Sequence, residues 1–215
     1  ERLSQNRIVK LFKEQLGYKY YGNWEEREKN SNIEESYLGS YLLRQGYSVT
    51  VFSKAIYELK QVADSFSDDL YLKNKKIYAM LRYGIPVKED VGTHYTTVHL
   101  IDWKNWENND FAIAEEVTIK GNRDKRPDIV IYVNGIALGI LELKRGLVEI
   151  SEGIRQNITN QQDSFIQSFF ATVQFVMAGN DTQGLRYGTI GTHEKYFLNW
   201  KEDEQDNSEL KVDKY

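Results

Sequence analysis

Two apolar segments, Ile129 to Val133 and Ile136 to Leu143, are joined by Asn134-Gly135, and this pairing constrains the chain more than any other feature. Runs of β-branched residues separated by Asn-Gly predict a β-hairpin, because both turn residues tolerate positive φ. Acids stand near one common end of the two strands, Asp128 before the first and Glu142 inside the second, with Lys144 two positions further on. Burying a carboxylate in an apolar strand is costly unless a cation or metal accompanies it. The facing of these groups depends on the loop. A two-residue loop pairs Val133 with Ile136, sets Asp128 opposite Leu141 and turns Glu142 to the other face. A three-residue loop with Gly135 left-handed pairs Tyr132 with Ile136 and puts Asp128, Glu142 and Lys144 on one face. A shared site therefore needs an odd-length loop or a bulge farther along.

Around the hairpin the pattern is mixed. Helical spacing covers residues 3–16, 32–45, 53–66, 68–82 and 150–170, with Gly46 and Gly84 as stops. Strands are expected at 97–101, 111–119, 172–177 and 186–190, whereas 17–30 and 103–110 read as loops. Helices first, then a hairpin-containing sheet, then a helix and strand predict an α/β fold with a mixed central sheet flanked by helices. Residues 1–200 form one domain in this reading, and the charged stretch 201–215 reads as a polar linker or a join.

Composition excludes several classes. With no Cys and 3 His, neither a thiolate site nor a His-rich zinc site is expected. No apolar run approaches the roughly 20 residues of a membrane span, and the absence of Cys suits a cytoplasmic protein. A net charge of −4 means that any DNA-attracting charge must be local. Lys120, Arg123, Lys125, Arg126 and Arg145 cluster beside the acids and are candidate phosphate contacts; a solvated loop is the alternative.

Two carboxylates and a lysine on one face suit metal-assisted phosphodiester hydrolysis, and a hairpin that merely ends in charged residues is the competing reading. Pro127-Asp128, followed fourteen positions later by Glu142-Leu143-Lys144, resembles the PD-(D/E)xK nuclease motif. The surroundings are more specific. Asn32-Ile33-Glu34-Glu35, Leu42-Leu43-Arg44-Gln45-Gly46-Tyr47, Asn108-Asn109-Asp110-Phe111, Arg126-Pro127-Asp128 and Val176-Met177-Ala178-Gly179-Asn180-Asp181 are similar to the amino-terminal region of type I restriction R subunits.

The resemblance implies a magnesium-dependent endonuclease acting on double-stranded DNA, manganese substituting. Asp128, Glu142 and the Leu143 carbonyl are then metal ligands and Lys144 a catalytic residue. It further implies a catalytic Glu on an early helix, Glu35 or else Glu34, although Asn32-x-x-Glu35 also reads as a capping box. A Gln on the helix after the lysine matches Gln156, but Asn160 stands where the family places a Tyr. The resemblance names methyltransferase and specificity subunits as partners and an ATP-driven motor. No Gly-x-x-x-x-Gly-Lys-Ser/Thr segment occurs here, so ATP use is expected of the motor alone. The rival expectation is a catalytically silent module of the same fold that docks DNA or the motor.

Overall fold

The structure is a computed structural model describing residues 2–90, 92 and 94–201. The linker expected over 201–215 lies outside the described residues except for Lys201. The first helix, α1 (Arg2–Glu14), leads into β1 (Lys19–Asn23), in a stretch that reads as a loop in sequence. Three helices follow: α2 (Glu35–Arg44), α3 (Val49–Ala63) and α4 (Leu70–Tyr83). The Ser48 side chain caps α3 by accepting from Val51 N–H, and Asp69 caps α4 by accepting from Leu72 N–H. A small antiparallel pair, β2 (Ile85–Lys88) and β3 (Tyr95–Val98), then precedes β4 (Phe111–Glu115).

The hairpin is β5 (Ile129–Val133) and β6 (Ile136–Leu143). After it come α5 (Ile150–Asn160), β7 (Phe175–Asn180), β8 (Gly184–Gly188) and β9 (Leu198–Asn199). The expected helix 150–170 stops ten residues early: α5 ends at Asn160, and Gln167–Ala171 forms a separate 3-10 turn. Seven strands make one sheet in the order β1-β4-β5-β6-β7-β8-β9. The β1–β4 and β6–β7 pairs are parallel and the others antiparallel, so the sheet is mixed as expected. Because β6 and β7 run parallel, their connection must cross over, and α5 is that crossover.

The hairpin turn has two residues, not three. Val133 pairs with Ile136, and Asn134 and Gly135 have φ of 53° and 83°. Positive φ at both positions is the type I′ geometry. The fully buried Asn134 side chain fixes this turn. Its Nδ2 donates to Leu100 O and Asn109 Oδ1, each at 2.8 Å, and its Oδ1 accepts from Asp110 N–H at 2.7 Å. A Cβ on Gly135 would stand 2.8 Å from Leu38 N.

Parity is then restored by a bulge. Tyr132 pairs with Ala137 but Ile131 with Gly139, so Leu138 is the extra residue. Two distant residues help to hold the bulged strand: the Thr172 side-chain Oγ1 donates to Ala137 O at 2.7 Å, and the Gln174 main-chain N–H donates to Leu138 O at 2.8 Å.

Two cores follow from the alternation. On one face, Ile113, Ile129, Leu141, Leu143 and Met177 pack under Ile8, Val9 and Phe12 of α1. On the other, Val130, Tyr132, Ile140, Val176 and Ala178 join the larger core with Ile150 and Ile154 of α5.

Candidate active site

Ile129 pairs with Leu141, and both point into the α1-side core. One residue beyond each stand Asp128 and Glu142, which therefore share the opposite face, the side of α5. Lys144, two residues past Glu142, faces the same way. The requirement that the acids share a face is thus met, with the bulge at Leu138 in place of an odd-length loop.

The groups are held by short contacts. Asp128 Oδ2 accepts from the Leu143 N–H at 2.6 Å, which holds that carboxylate against the Glu142-Leu143 peptide. Glu142 is fully buried. Its Oε2 accepts from Gln156 Nε2 at 2.7 Å, and Gln156 Oε1 accepts from Lys144 Nζ at 2.7 Å. Gln156 on α5 therefore joins the Glu142 carboxylate of β6 to the Lys144 ammonium just beyond that strand. The candidate ligand residue Leu143, between them in sequence, buries its side chain in the α1-side core on the opposite face.

Gly153 makes this bridge reachable, and sequence reasoning missed it. A Cβ at Gly153 would lie 3.1 Å from Ala178 Cβ, 3.5 Å from Lys144 Cγ and 3.7 Å from Glu142 Cβ. The missing side chain lets α5 settle onto β6 and β7, so that Gln156, one turn on, reaches both groups. The signal was available, since glycine inside an amphipathic helix costs about 1 kcal/mol relative to alanine and so points to a packing reason. Asn160, at the position of the expected Tyr, is buried a turn beyond Gln156.

Glu35 is not brought to this cluster. It is exposed and ion-pairs with Lys60 at 2.5 Å, on a helix that begins beside the hairpin turn. Glu34 lies there too: its N–H donates to Gly135 O at 2.8 Å. Six residues of β6 separate that level from Glu142, roughly 20 Å at about 3.4 Å per residue. The Asn32–Glu35 capping box does not form: Glu34 reaches back instead of Glu35, and no side chain caps the start of α2. Glu34 Oε1 accepts from Ser31 N–H at 3.0 Å. Arg27 completes the Glu34 environment, donating to Oε1 at 2.9 Å and Oε2 at 2.6 Å. The hydrogen bond to Glu34 raises the guanidinium pKa. Burial pushes the neighbouring Tyr132 phenol well above its usual value.

The basic cluster is largely engaged within the fold. Lys120 pairs with Asp124 at 2.5 Å, and Arg126 pairs with Glu25 and with Glu116, the latter at 2.8 Å. Lys125 and Arg123 lie over the Phe165 ring at 4.5 and 5.5 Å. Arg145, next to Lys144, is exposed.

Comparison with known proteins settles the family. Residues 1–195 match the family model described as type I restriction enzyme R protein N terminus. The chain belongs to this family. Among its relatives is the "Type I restriction enzyme HindI endonuclease subunit" of Haemophilus influenzae, 24% identical over 160 residues, which cover 72% of this chain and 15% of that protein. The "Putative type I restriction enzyme MjaIXP endonuclease subunit" of Methanocaldococcus jannaschii is 26% identical, covering 93% of this chain and 20% of that protein. A second protein of that organism, the "Putative type I restriction enzyme MjaVIIIP endonuclease subunit", is 34% identical over 51% of the chain and 11% of its own length. The chain thus spans about a fifth or less of the curated relatives it matches. Among the described residues, no helix is long and apolar enough to cross a membrane.

Proposed function

We propose that this chain is a divalent-metal-dependent endonuclease domain of the PD-(D/E)xK kind that hydrolyses phosphodiester bonds of double-stranded DNA within a type I restriction complex. One observation carries the reading: a bulge at Leu138 turns Asp128 and Glu142 to a common face, where Gln156 ties Glu142 to Lys144.

The donor set fits magnesium, a hard ion that takes oxygen ligands and keeps several waters. Asp128, Glu142 and the Leu143 carbonyl would hold it, and manganese would substitute. Among the described residues no group of three or more His, Cys, Asp or Glu side chains stands together, so main chain and solvent complete the set. A carboxylate buried as deeply as Glu142 is also favoured by a nearby cation. When bound, the metal polarises the phosphate and lowers the pKa of a coordinated water.

The chain's own residues do the positioning. Leu143 N–H orients Asp128. Gln156 holds the Lys144 ammonium beside the acids, where it donates to phosphoryl oxygens as negative charge develops on them. None of these groups reads bases, so sequence choice is assigned to a specificity subunit, methylation to a methyltransferase subunit and ATP use to a motor. Such a complex acts on DNA in the cytoplasm.

The test is Lys144→Ala in the assembled enzyme. Melting temperature, ATP hydrolysis and DNA binding stay native, whereas cleavage falls by roughly a hundred- to a thousand-fold, the usual cost of removing one such donor. Cleavage at the native rate contradicts the mechanism and favours the silent docking module.

A further inference from the structure

Helix α4 carries four cations, Lys73, Lys75, Lys76 and Arg82, and no acid, in a chain whose net charge is −4. Its inner side is apolar: Leu70, Ile77 and Leu81 are buried. Asn74 fastens it to the body of the fold, with Nδ2 donating to Ala171 O at 3.1 Å and Val173 O at 2.7 Å. The 3.6-residue period places Tyr71, Lys75, Tyr78 and Arg82 in one outward stripe within about 60° of arc. At 1.5 Å per residue the stripe runs for about 16 Å. Tyr71 and Tyr78 are 65% and 52% exposed, and Lys75 and Arg82 are exposed.

The neighbouring acids are already engaged. Asp68 accepts from Lys76 at 2.7 Å, and Asp69 caps the helix. Asp102 accepts from the Lys104 and Asn105 amides and from Asn108. Among the described residues Lys75 makes no ion pair or hydrogen bond. The Arg82 guanidinium lies 5.4 Å above the Trp103 ring, whose indole N–H is tied to Leu81 O at 2.8 Å. The cation is therefore presented on a fixed aromatic platform.

We propose that the outward stripe of α4, Tyr71-Lys75-Tyr78-Arg82, is a second DNA-docking surface that grips the phosphate backbone of the duplex away from the cleavage site. This rests on the reading that DNA is the substrate. Cations alternating with exposed phenols match a row of phosphates: the cations neutralise, and the phenol hydroxyls donate hydrogen bonds without reading sequence. Asn74 anchors α4 to the chain that enters β7, at the far end of the strands from Glu142. The stripe thus holds the duplex roughly 20 Å from the cut, the length of the intervening strands.

Neutralising phosphates releases counterions, so each lost contact lowers the salt dependence of binding by about 0.9 in log K against log salt. The test is binding of the chain to a 30-base-pair duplex in EDTA from 50 to 200 mM salt. Lys75→Gln with Arg82→Gln should lower the slope by about 1.8. Over that four-fold salt range, native binding should then weaken roughly twelve-fold more than binding by the double variant. Arg82→Lys should keep the native slope, and Tyr71→Ala with Tyr78→Ala should weaken binding at every salt concentration with the slope unchanged. The assay is run in EDTA, without any divalent ion, so failure of the metal site leaves the slope where it is and is separable from failure of this surface. A slope unchanged in the Gln variant, or no duplex binding by the native chain, overturns the proposal. So does loss of poly-glutamate binding with DNA binding intact, which would assign the stripe to an acidic protein.

Discussion

Glu34 and Glu142 are the two carboxylates that the described fold buries, and they sit at opposite ends of one hairpin. At the turn, Glu34 receives both arms of Arg27 and the Ser31 amide, while Asn134 and Asn109 answer each other and the Leu100 carbonyl. Asp110 beside them takes both Lys19 and Arg44. Although burial opposes it, those two hydrogen bonds hold its carboxyl below the usual range. Polar burial at this end builds structure. At the open end, Glu142 receives a neutral amide whose other atom accepts from Lys144, and Asp128 leans on a main-chain N–H. Here the polar groups converge on a common face instead of closing around a turn. Burial alone therefore does not tell the two acids apart; the kind of partner and the direction each faces do.

The comparison breaks or sharpens under substitution. Glu142→Gln has the largest expected effect: cleavage by the assembled enzyme falls at least a thousand-fold, while thermal stability stays native or rises, because a buried charge is removed without loss of volume. A fall in melting temperature without loss of cleavage would make Glu142 structural. Glu34→Gln should do the reverse. Breaking a buried pair costs about 3–5 kcal/mol, and with the Arg27 side chain 35% exposed to screening solvent the loss should be nearer 1–3 kcal/mol in denaturant unfolding. DNA cleavage per folded molecule should be native; a specific loss would move the catalytic acid to the turn end. The smallest effect is expected for Gly153→Ala. Helix propensity favours alanine, yet the new Cβ meets Ala178 at 3.1 Å and lifts Gln156 from its two partners. Stability should change little, and the cleavage rate should fall about ten-fold, as small misplacements at a reacting centre do. Adding Ala178→Gly should restore it. Native cleavage by the single variant would remove Gly153 from the account.

Much of this was legible in the residues. Asn134-Gly135 marked the hairpin, and the spacing of Asp128, Glu142 and Lys144 framed the parity question. The answer was not legible, because Leu138 is one apolar residue among many and its bulged strand is held in part by Thr172 and Gln174, over thirty residues away. Strand β1 was hidden because Lys19-Tyr20-Tyr21-Gly22-Asn23 lacks apolar alternation, and its pairing is parallel to a distant strand with an irregular register. The overlong helix has a similar cause. Ile166, Phe169 and Phe170 continue an apolar pattern, but they serve a 3-10 turn packed into the main core, beyond a break at Gln161. Glu35 was favoured over Glu34 by counting, whereas contact with the hairpin turn buries Glu34 and leaves Glu35 to Lys60.

The central claim is that Asp128 and Glu142 hold one divalent ion together. Anomalous scattering from crystals soaked in manganese tests it most directly. The account predicts a single strong peak within coordination distance of both carboxylates and the Leu143 carbonyl, absent from crystals of Asp128→Ala. No peak there, or an equal peak in the Asp128→Ala crystals, would contradict it.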